Sequence, residues 1–161
     1  TVGTHIKASF DRLLRSMDAL APGLGEPVFA QIGPTDYRPR NMEHAAFLPY
    51  AEAERRIREA SLVVSHAGIG TTLLARRHGV RLVLVPRSAA LGEHFNDHQT
   101  EIAERLRGRP GIRVVRDLAE LEKAVRGLLA EPPPSLAAWG TGRDAIAAEI
   151  RSFLRSGPVA G

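Results

Sequence analysis

The chain has 161 residues, of which 43% are hydrophobic and 25% charged, with a net charge of +4 and no cysteine. These values indicate one ordered globular domain and exclude a disulfide framework, a thiolate metal site and a cysteine nucleophile. No apolar run approaches the roughly 20 residues that a membrane helix needs. Because aromatic residues make up only 5% of the chain and the arginines are scattered, no nucleic-acid partner is expected.

The first half of the chain predicts alternating strands and helices. Residues 1–3 are typical of the end of a strand, most of which would lie ahead of Thr1. Apolar residues at helical spacing predict a helix over 6–20, which Pro22 and Gly23 end. Short apolar runs predict strands over 28–32, 45–48 and 61–65, with a helix over 51–60.

The second half continues the alternation. A glycine-rich turn after the strand at 61–65 leads into a helix over 71–78, which Gly79 ends. The series predicts an α/β fold, a Rossmann-like parallel sheet with helices on both faces. We expect residues 132–161 to form a Pro-rich break, a C-terminal helix and a tail of the same domain. The remaining elements predicted are strands over 82–85 and 112–115 and helices over 97–107, 118–129 and 141–154.

The first polar cluster follows the strand at 61–65. Ser65 and His66 end this strand, and Gly68, Gly70 and Thr71 lead into the next helix. Ligands of open parallel sheets bind outside the carboxyl ends of the strands, and a helix N-terminus preceded by glycines favours a phosphate. The alternative is that His66 is a structural residue at a strand end and that the hydroxyls cap the helix.

A second polar cluster follows the strand at 82–85. Amide side chains both donate and accept hydrogen bonds, as sugar hydroxyls require, so this segment favours a carbohydrate ligand. His94 and His98 also have the spacing of a metal-binding pair on one helix face, but no third ligand is evident. The polar residues of the segment are Glu93, His94, Asn96, Asp97, His98 and Gln99.

Two nucleotide motifs do not fit. Leu73 stands where a dinucleotide fingerprint needs its third glycine, and Pro86 and Arg87, not an acidic residue, follow Val85. A nicotinamide-dependent oxidoreductase is therefore disfavoured. The chain also lacks the Gly-Lys-Ser/Thr sequence of a P-loop.

Several motifs together resemble the donor-binding domain of GT-B glycosyltransferases. They are SHAGIGT, GEHFNDHQ, the opening TVGTH with FDRL, and FAQIG with FLPYAE. The chain resembles the C-terminal domain of the lipid II-forming type. It is closer still to stand-alone donor subunits of two-part bacterial exopolysaccharide and capsule transferases, and to the eukaryotic subunit that helps make dolichol-linked chitobiose.

The resemblance implies a donor domain over residues 1–131 that binds a UDP-sugar without a tightly bound metal or other cofactor. It implies a diphosphate cradle at residues 65–71, main-chain recognition of the uracil at 47–50, and sugar recognition by Asn96, His98 and Gln99. Leu74 stands where the lipid II-forming relative has a ribose-binding glutamate, so ribose recognition would fall to the backbone or to another residue such as Glu93. The expected site comprises His5 as a candidate catalytic base and the binding residues Gly3, Thr4, Phe47, Leu48, Tyr50, Ser65, His66, Ala67, Gly68, Ile69, Gly70, Thr71, Arg87, Glu93, Asn96, His98 and Gln99.

The reaction implied is an inverting transfer of a sugar to a lipid-linked glycan acceptor, with the growing diphosphate charge stabilised by N–H donors and a protonated His66. The acceptor half would be a separate, membrane-associated subunit that holds this cytoplasmic chain at the inner face of the membrane. The chain would then be active only with that partner.

Other interpretations stay open. The chain could be a non-catalytic UDP-binding regulatory or scaffold subunit, or another GT-B enzyme such as a sugar-nucleotide hydrolase or epimerase. The isolated chain could also form a homo-oligomer. The C-terminal helix either contacts the partner or packs on its own sheet through Ile146, Ile150, Phe153 and Leu154.

Overall fold

The structure, a computed structural model, describes residues 1–4, 9–96 and 98–135. The predicted C-terminal helix and the candidate residue His5 therefore lie outside the described residues, as does Asp97. The helices are α1 (Asp11–Leu20), α2 (Tyr50–Glu59), α3 (Ile69–Arg77), α4 (His98–Leu106) and α5 (Leu121–Ala130). The strands are β1 (Phe29–Gln31), β2 (Glu43–Ala45), β3 (Leu62–Ser65), β4 (Arg81–Leu84) and β5 (Ile112–Val114).

All paired strands are parallel, which confirms the predicted α/β class. The strands form two sheets, one of β1 and β2 and one in the order β3-β4-β5. Leu62 pairs with Arg81 at the start of β3, and Leu82 pairs with Ile112 at the start of β5. The carboxyl ends of β3 and β4 are therefore neighbours, as the sequence predicted.

The central strand β4 divides the core into two layers because its side chains alternate between the faces of the sheet. Val83 and Val85 pack with α1 and α5, whereas Leu82 and Leu84 pack with α3 and α4. All four side chains are fully buried. Burial of each side chain stabilises the fold by roughly 1.5–3 kcal/mol. Helices therefore cover both apolar faces of this sheet.

Several predicted boundaries are wrong. The helix predicted over 6–20 begins at Asp11, since residues 9 and 10 are not helical, and the helix predicted over 118–129 opens with a 3₁₀ turn before α5. The strand predicted at 45–48 is β2 at Glu43–Ala45, because parallel pairing places Phe29 opposite Glu43 and leaves residues 46–49 as a loop. Phe47 is 44% exposed, so the apolar run was not a core signal. Helix α3 begins at Ile69, two residues before the predicted start, directly after Gly68.

Candidate functional site

The turn between β3 and α3 presents the first backbone turn of a helix at the edge of the sheet. Ser65 is fully buried at the end of β3, and Gly68 is the N-cap of α3. The Thr72 hydroxyl donates to the Gly68 carbonyl at 2.9 Å, which fixes this turn. The first N–H groups of a helix have no acceptor within it, and they carry the positive end of the helix dipole. The turn is therefore suited to an anion.

The imidazole of His66 lies between two glycines. A Cβ on Gly3 would be 2.3 Å from Cε1 of His66, and a Cβ on Gly68 would be 2.2 Å from its Nε2. Gly3 also has φ +76°, a conformation that glycine adopts readily. The Ser65 hydroxyl is 3.2 Å from Nδ1 of the ring. Only glycine leaves room for the ring at these two positions.

His66 is neutral at physiological pH in this structure. Loss of solvent around the ring, followed by the positive charge of Arg87, lowers the pKa of His66 to about 3, although a backbone hydrogen bond with Thr1 acts in the opposite direction. The expected protonated His66 is therefore wrong for the ligand-free chain. A neutral imidazole still offers one N–H donor and one acceptor.

Arg87, which follows β4, stabilises the carboxyl end of this strand. Its guanidinium is fully buried and donates to the carbonyls of Ser9 at 2.7 Å, Glu93 at 3.2 Å and Val2 at 3.0 Å. It also lies over the Phe10 ring at 4.7 Å. The guanidinium thus joins the β4 end to the segments on either side, and its contacts to the main chain position the site.

Glu93 holds the loop that follows Arg87. Its carboxylate accepts from Nε of Arg12 at 2.6 Å and from Nη2 at 3.0 Å. The same carboxylate accepts from the backbone N–H of Ser88 at 3.0 Å. Both oxygens are therefore engaged within the protein, and the expected ribose contact would compete with this bidentate pair.

Gln99 of α4 contacts the segment that follows β4. Through this contact, a short series of contacts links the carboxyl ends of β3 and β4. The Oε1 atom of Gln99 accepts from the backbone N–H of Arg87 at 3.1 Å. Arg87 in turn contacts the carbonyl of Val2, the residue before Gly3. Gly3 abuts His66, so His66 and Gln99 lie at the same edge of the molecule.

Asn96 and His98 are exposed at the start of α4. The Oδ1 atom of Asn96 accepts from the backbone N–H of His98 at 3.3 Å, a local turn contact. Nδ1 of His94 is 3.1 Å from the Asn96 carbonyl, and the His94 ring stacks on Phe95. Within 1–4, 9–96 and 98–135, no group of three potential ligands could hold a metal ion.

The segment after β2 supplies the far wall of the site. Phe47 and Tyr50 are exposed, and Leu48 is half-buried between them. A cavity of about 990 Å³ runs along this side of the molecule. The candidate residues that line it are Gly3, Thr4, Leu48, Tyr50, His66, Gly70 and Thr71. The other described candidate residues lie outside this lining: Phe47, Ser65, Ala67, Gly68, Ile69, Arg87, Glu93, Asn96, His98 and Gln99.

Sequence reasoning missed two residues that organise the site. Arg12 pairs with Glu93 across 81 positions of sequence. Gln31 accepts from the Thr1 hydroxyl at 3.1 Å and donates to the Gly3 carbonyl at 3.4 Å. A buried glutamine in an apolar strand was the available signal for Gln31, but no local pattern identifies the partner of Arg12.

The parallel α/β fold, with a helix N-terminus and a polar loop at adjoining strand ends, is the type that binds phosphorylated ligands. The chain belongs to the glycosyltransferase family 28 C-terminal domain, whose family model matches residues 1–138. No curated protein matches the chain.

Two solved structures share the fold. The glycotransferase of kitacinnamycin is 21% identical, with a TM-score of 0.64 over 96% of this chain and 38% of its own. CalG4, the calicheamicin glycosyltransferase, is 24% identical, with a TM-score of 0.59 over 97% of this chain and 42% of its own. The chain thus spans about two fifths of each. In the described residues, no helix is long and apolar enough to cross a membrane.

Proposed function

We propose that this chain binds a UDP-sugar and acts as the donor subunit of a two-component inverting glycosyltransferase. The observation that carries the proposal is the enclosure of His66 between Gly3 and Gly68, beside the N-terminus of α3. His66, Gly70 and Thr71 line the cavity beside this helix start, so a ligand there would lie close to the backbone of α3. Membership of a glycosyltransferase family favours a sugar nucleotide over other phosphorylated ligands.

The diphosphate would lie at the first turn of α3. The backbone N–H groups of Ile69, Gly70 and Thr71 and a neutral imidazole N–H of His66 would stabilise the charge that grows on the leaving group. Removal of one such donor typically lowers the rate by about 10²–10³-fold. His66 thus acts as a positioned hydrogen-bond donor and does not supply a permanent charge.

The uracil and the sugar of the donor are assigned to two different segments of the chain. We assign the uracil to the main chain around Leu48, because Leu48 and the exposed Tyr50 line the cavity. We assign the sugar to the loop with Asn96 and His98 and to the amide of Gln99. Arg87 and Glu93 position this loop, because their charged groups are engaged with the protein. His5 remains the candidate base in this chain.

The acceptor would be a lipid-linked glycan, presented by a separate membrane-associated subunit that holds this chain at the cytoplasmic face. The proposal rests on the family and on the resemblance of the motifs at residues 65–71 and 93–99 to those of stand-alone donor subunits. Transfer would then require both subunits, whereas donor binding would require only this one.

Titration calorimetry of the whole chain with UDP and a panel of UDP-sugars tests the proposal. We expect saturable binding of UDP and preference for one UDP-sugar, with His66→Ala weakening both. His78→Ala is the matched control, because His78 caps the opposite end of α3, where it contacts Glu54. Absence of UDP binding by a folded chain would refute the donor-binding role. Release of free sugar by the chain alone would instead indicate a hydrolase.

A further inference from the structure

The loop between β4 and α4 carries two large apolar side chains at its surface. Leu91 is 64% exposed and Phe95 is 80% exposed. Glu93, which stands between them, is buried and accepts hydrogen bonds from Arg12 and from the backbone N–H of Ser88. The loop is therefore anchored to the protein through Glu93, while both apolar side chains stay in contact with solvent.

Phe95 differs from Leu91 because a neighbouring ring positions it. The imidazole of His94 stacks on the phenyl ring, with the ring centroids 4.3 Å apart and the ring planes at 27° to each other. Nδ1 of His94 is in turn 3.1 Å from the carbonyl oxygen of Asn96 and 3.3 Å from its backbone nitrogen. The phenyl ring thus has a defined orientation although most of its surface is open to solvent.

The side chains that follow the phenyl ring are polar. Asn96 and His98 are exposed, and the Asn96 side chain accepts from the backbone N–H of His98 at 3.3 Å. A pyranose has C–H bonds on the faces of its ring and hydroxyl groups around its edge. The negative face of an aromatic ring attracts such C–H groups, and neighbouring amide and imidazole groups both donate to and accept from hydroxyls. Phe95 and its neighbours therefore match both parts of a sugar ring.

We propose that Phe95, positioned by His94, is a stacking surface for a pyranose ring and contributes to the choice of saccharide. The inference rests on the proposed function, which brings a saccharide to this loop. The ring stacked on Phe95 is either the sugar of the donor, whose hydroxyls we assign to Asn96 and His98, or a sugar of the acceptor. Both rings present the same C–H bonds to the aromatic face.

The contrast between Phe95 and Leu91 separates a sugar ligand from a protein partner. A protein docked on this loop would bury both apolar side chains, because both are exposed on the same anchored segment. A sugar ring gains from the aromatic face and gains much less from an aliphatic side chain. Leu91→Ala is therefore the matched control for Phe95→Ala.

Calorimetry of the whole chain measures how much the sugar adds to the affinity for UDP. The ligands are UDP, UDP-glucose, UDP-galactose, UDP-N-acetylglucosamine and UDP-glucuronate, and the variants are Phe95→Ala, Phe95→Tyr and Leu91→Ala. A second titration adds methyl glucoside, methyl galactoside or methyl N-acetylglucosaminide to the chain with and without UDP. The ring resonances of Phe95 report contact with the saccharide by NMR.

We expect Phe95→Ala to lower the affinity for the preferred UDP-sugar about 3- to 10-fold and to leave the affinity for UDP unchanged. Phe95→Tyr should keep the wild-type affinity, because it keeps the aromatic face. This result assigns the stacked ring to the donor. Binding of a methyl glycoside that Phe95→Ala abolishes, with donor affinity unchanged, assigns it to the acceptor.

Unchanged binding by Phe95→Ala in both titrations would overturn the proposal. Equal losses in Phe95→Ala and Leu91→Ala would also overturn it, since they would indicate a general apolar contact. Absence of UDP binding by the folded chain would refute the donor-binding role alone. The titration of the methyl glycosides without UDP would then decide whether Phe95 binds a sugar ring.

Discussion

The His66 ring and the backbone of Gly3 are in such close contact that a Cβ on Gly3 would lie 2.7 Å from Nε2 of the ring. Gly3 ends the segment hydrogen-bonded to β1 and β3, and His66 follows β3. The contact therefore ties the imidazole to two strand edges. Small changes at Gly3 or Gly68 would therefore displace the ring.

Substitution of Gly68 tests this sensitivity. A Cβ there would be 2.2 Å from Nε2 of His66, yet Gly68 has φ −78°, so alanine introduces a clash without backbone strain. We expect Gly68→Ala to displace the ring and to weaken UDP binding at least tenfold by calorimetry. Gly127→Ala in α5 is the control, because a Cβ there meets nothing within 4 Å. An unchanged UDP affinity in Gly68→Ala would show that the His66 ring is not part of the binding site.

The pH dependence of stability should report the burial of His66. Its pKa is about 3 in the folded chain, against 6.5 for an ordinary histidine, so the unfolded chain binds more protons between these values. The stabilising contribution is fully present above pH 6.5 and is lost as the pH falls toward 3. The slope of the unfolding free energy amounts to at most about 1.4 kcal/mol per pH unit.

Urea unfolding of wild type and His66→Gln between pH 7 and 4.5 measures this contribution. We expect the variant to lose less stability on acidification than wild type does. His44→Gln, at an exposed position on β2, should follow the wild-type curve. Parallel curves for wild type and His66→Gln would mean that the ring is hydrated and titrates normally.

Substitution of Arg87 tests whether its guanidinium stabilises the segment that follows β4. Lysine keeps the charge but cannot contact three separate carbonyls with a planar fork, and it loses the stacking on Phe10. We expect Arg87→Lys to lower the free energy of unfolding by about 2–4 kcal/mol. Arg107→Lys, in an exposed pair with Glu104, should change it by less than about 0.5 kcal/mol. Comparable small effects at both positions would contradict the bracing role.

The pair of Arg12 and Glu93 lends itself to a double-mutant cycle. Its side chains are 24% and 10% exposed, and the contact is bidentate. We expect Arg12→Met and Glu93→Gln to be non-additive, with a coupling energy of about 1–2 kcal/mol in chemical unfolding. Additive effects would show that the two side chains contribute independently to the loop.

The anchor of the loop before β2 gives a further prediction. The Asp18 carboxylate accepts from the Tyr37 hydroxyl at 2.6 Å and from the backbone N–H of Asn41 at 2.7 Å. Asp18→Ala leaves these donors without their charged acceptor, so we expect a loss of about 2–3 kcal/mol in unfolding free energy. Asp117→Ala, at an exposed 3₁₀ cap, should cost about 1 kcal/mol or less. Equal losses would argue against a role for Asp18 in ordering this loop.

The sequence predicted most of the fold because its apolar runs and glycine breaks are local signals. The end of β3 at Ser65 followed directly from such a run, and β4 ends at Leu84, one residue before the predicted end at Val85. The position of β2 did not follow from a local signal, because Glu43 joins the sheet through its backbone alone and the apolar Phe47 faces outward. The long-range pair of Arg12 and Glu93 and the enclosed, neutral state of His66 depend on tertiary packing, which no local pattern encodes.

The most direct test of the account is titration of the isotope-labelled chain with UDP, followed by amide chemical shifts, with uridine as the matched ligand. We predict that UDP moves the resonances of residues 66–71 and of Gly3 and Thr4 most strongly, and that uridine leaves residues 68–71 unmoved because it lacks the diphosphate. The same shifts with uridine, or UDP-induced shifts confined to other regions, would contradict binding of the diphosphate at the N-terminus of α3.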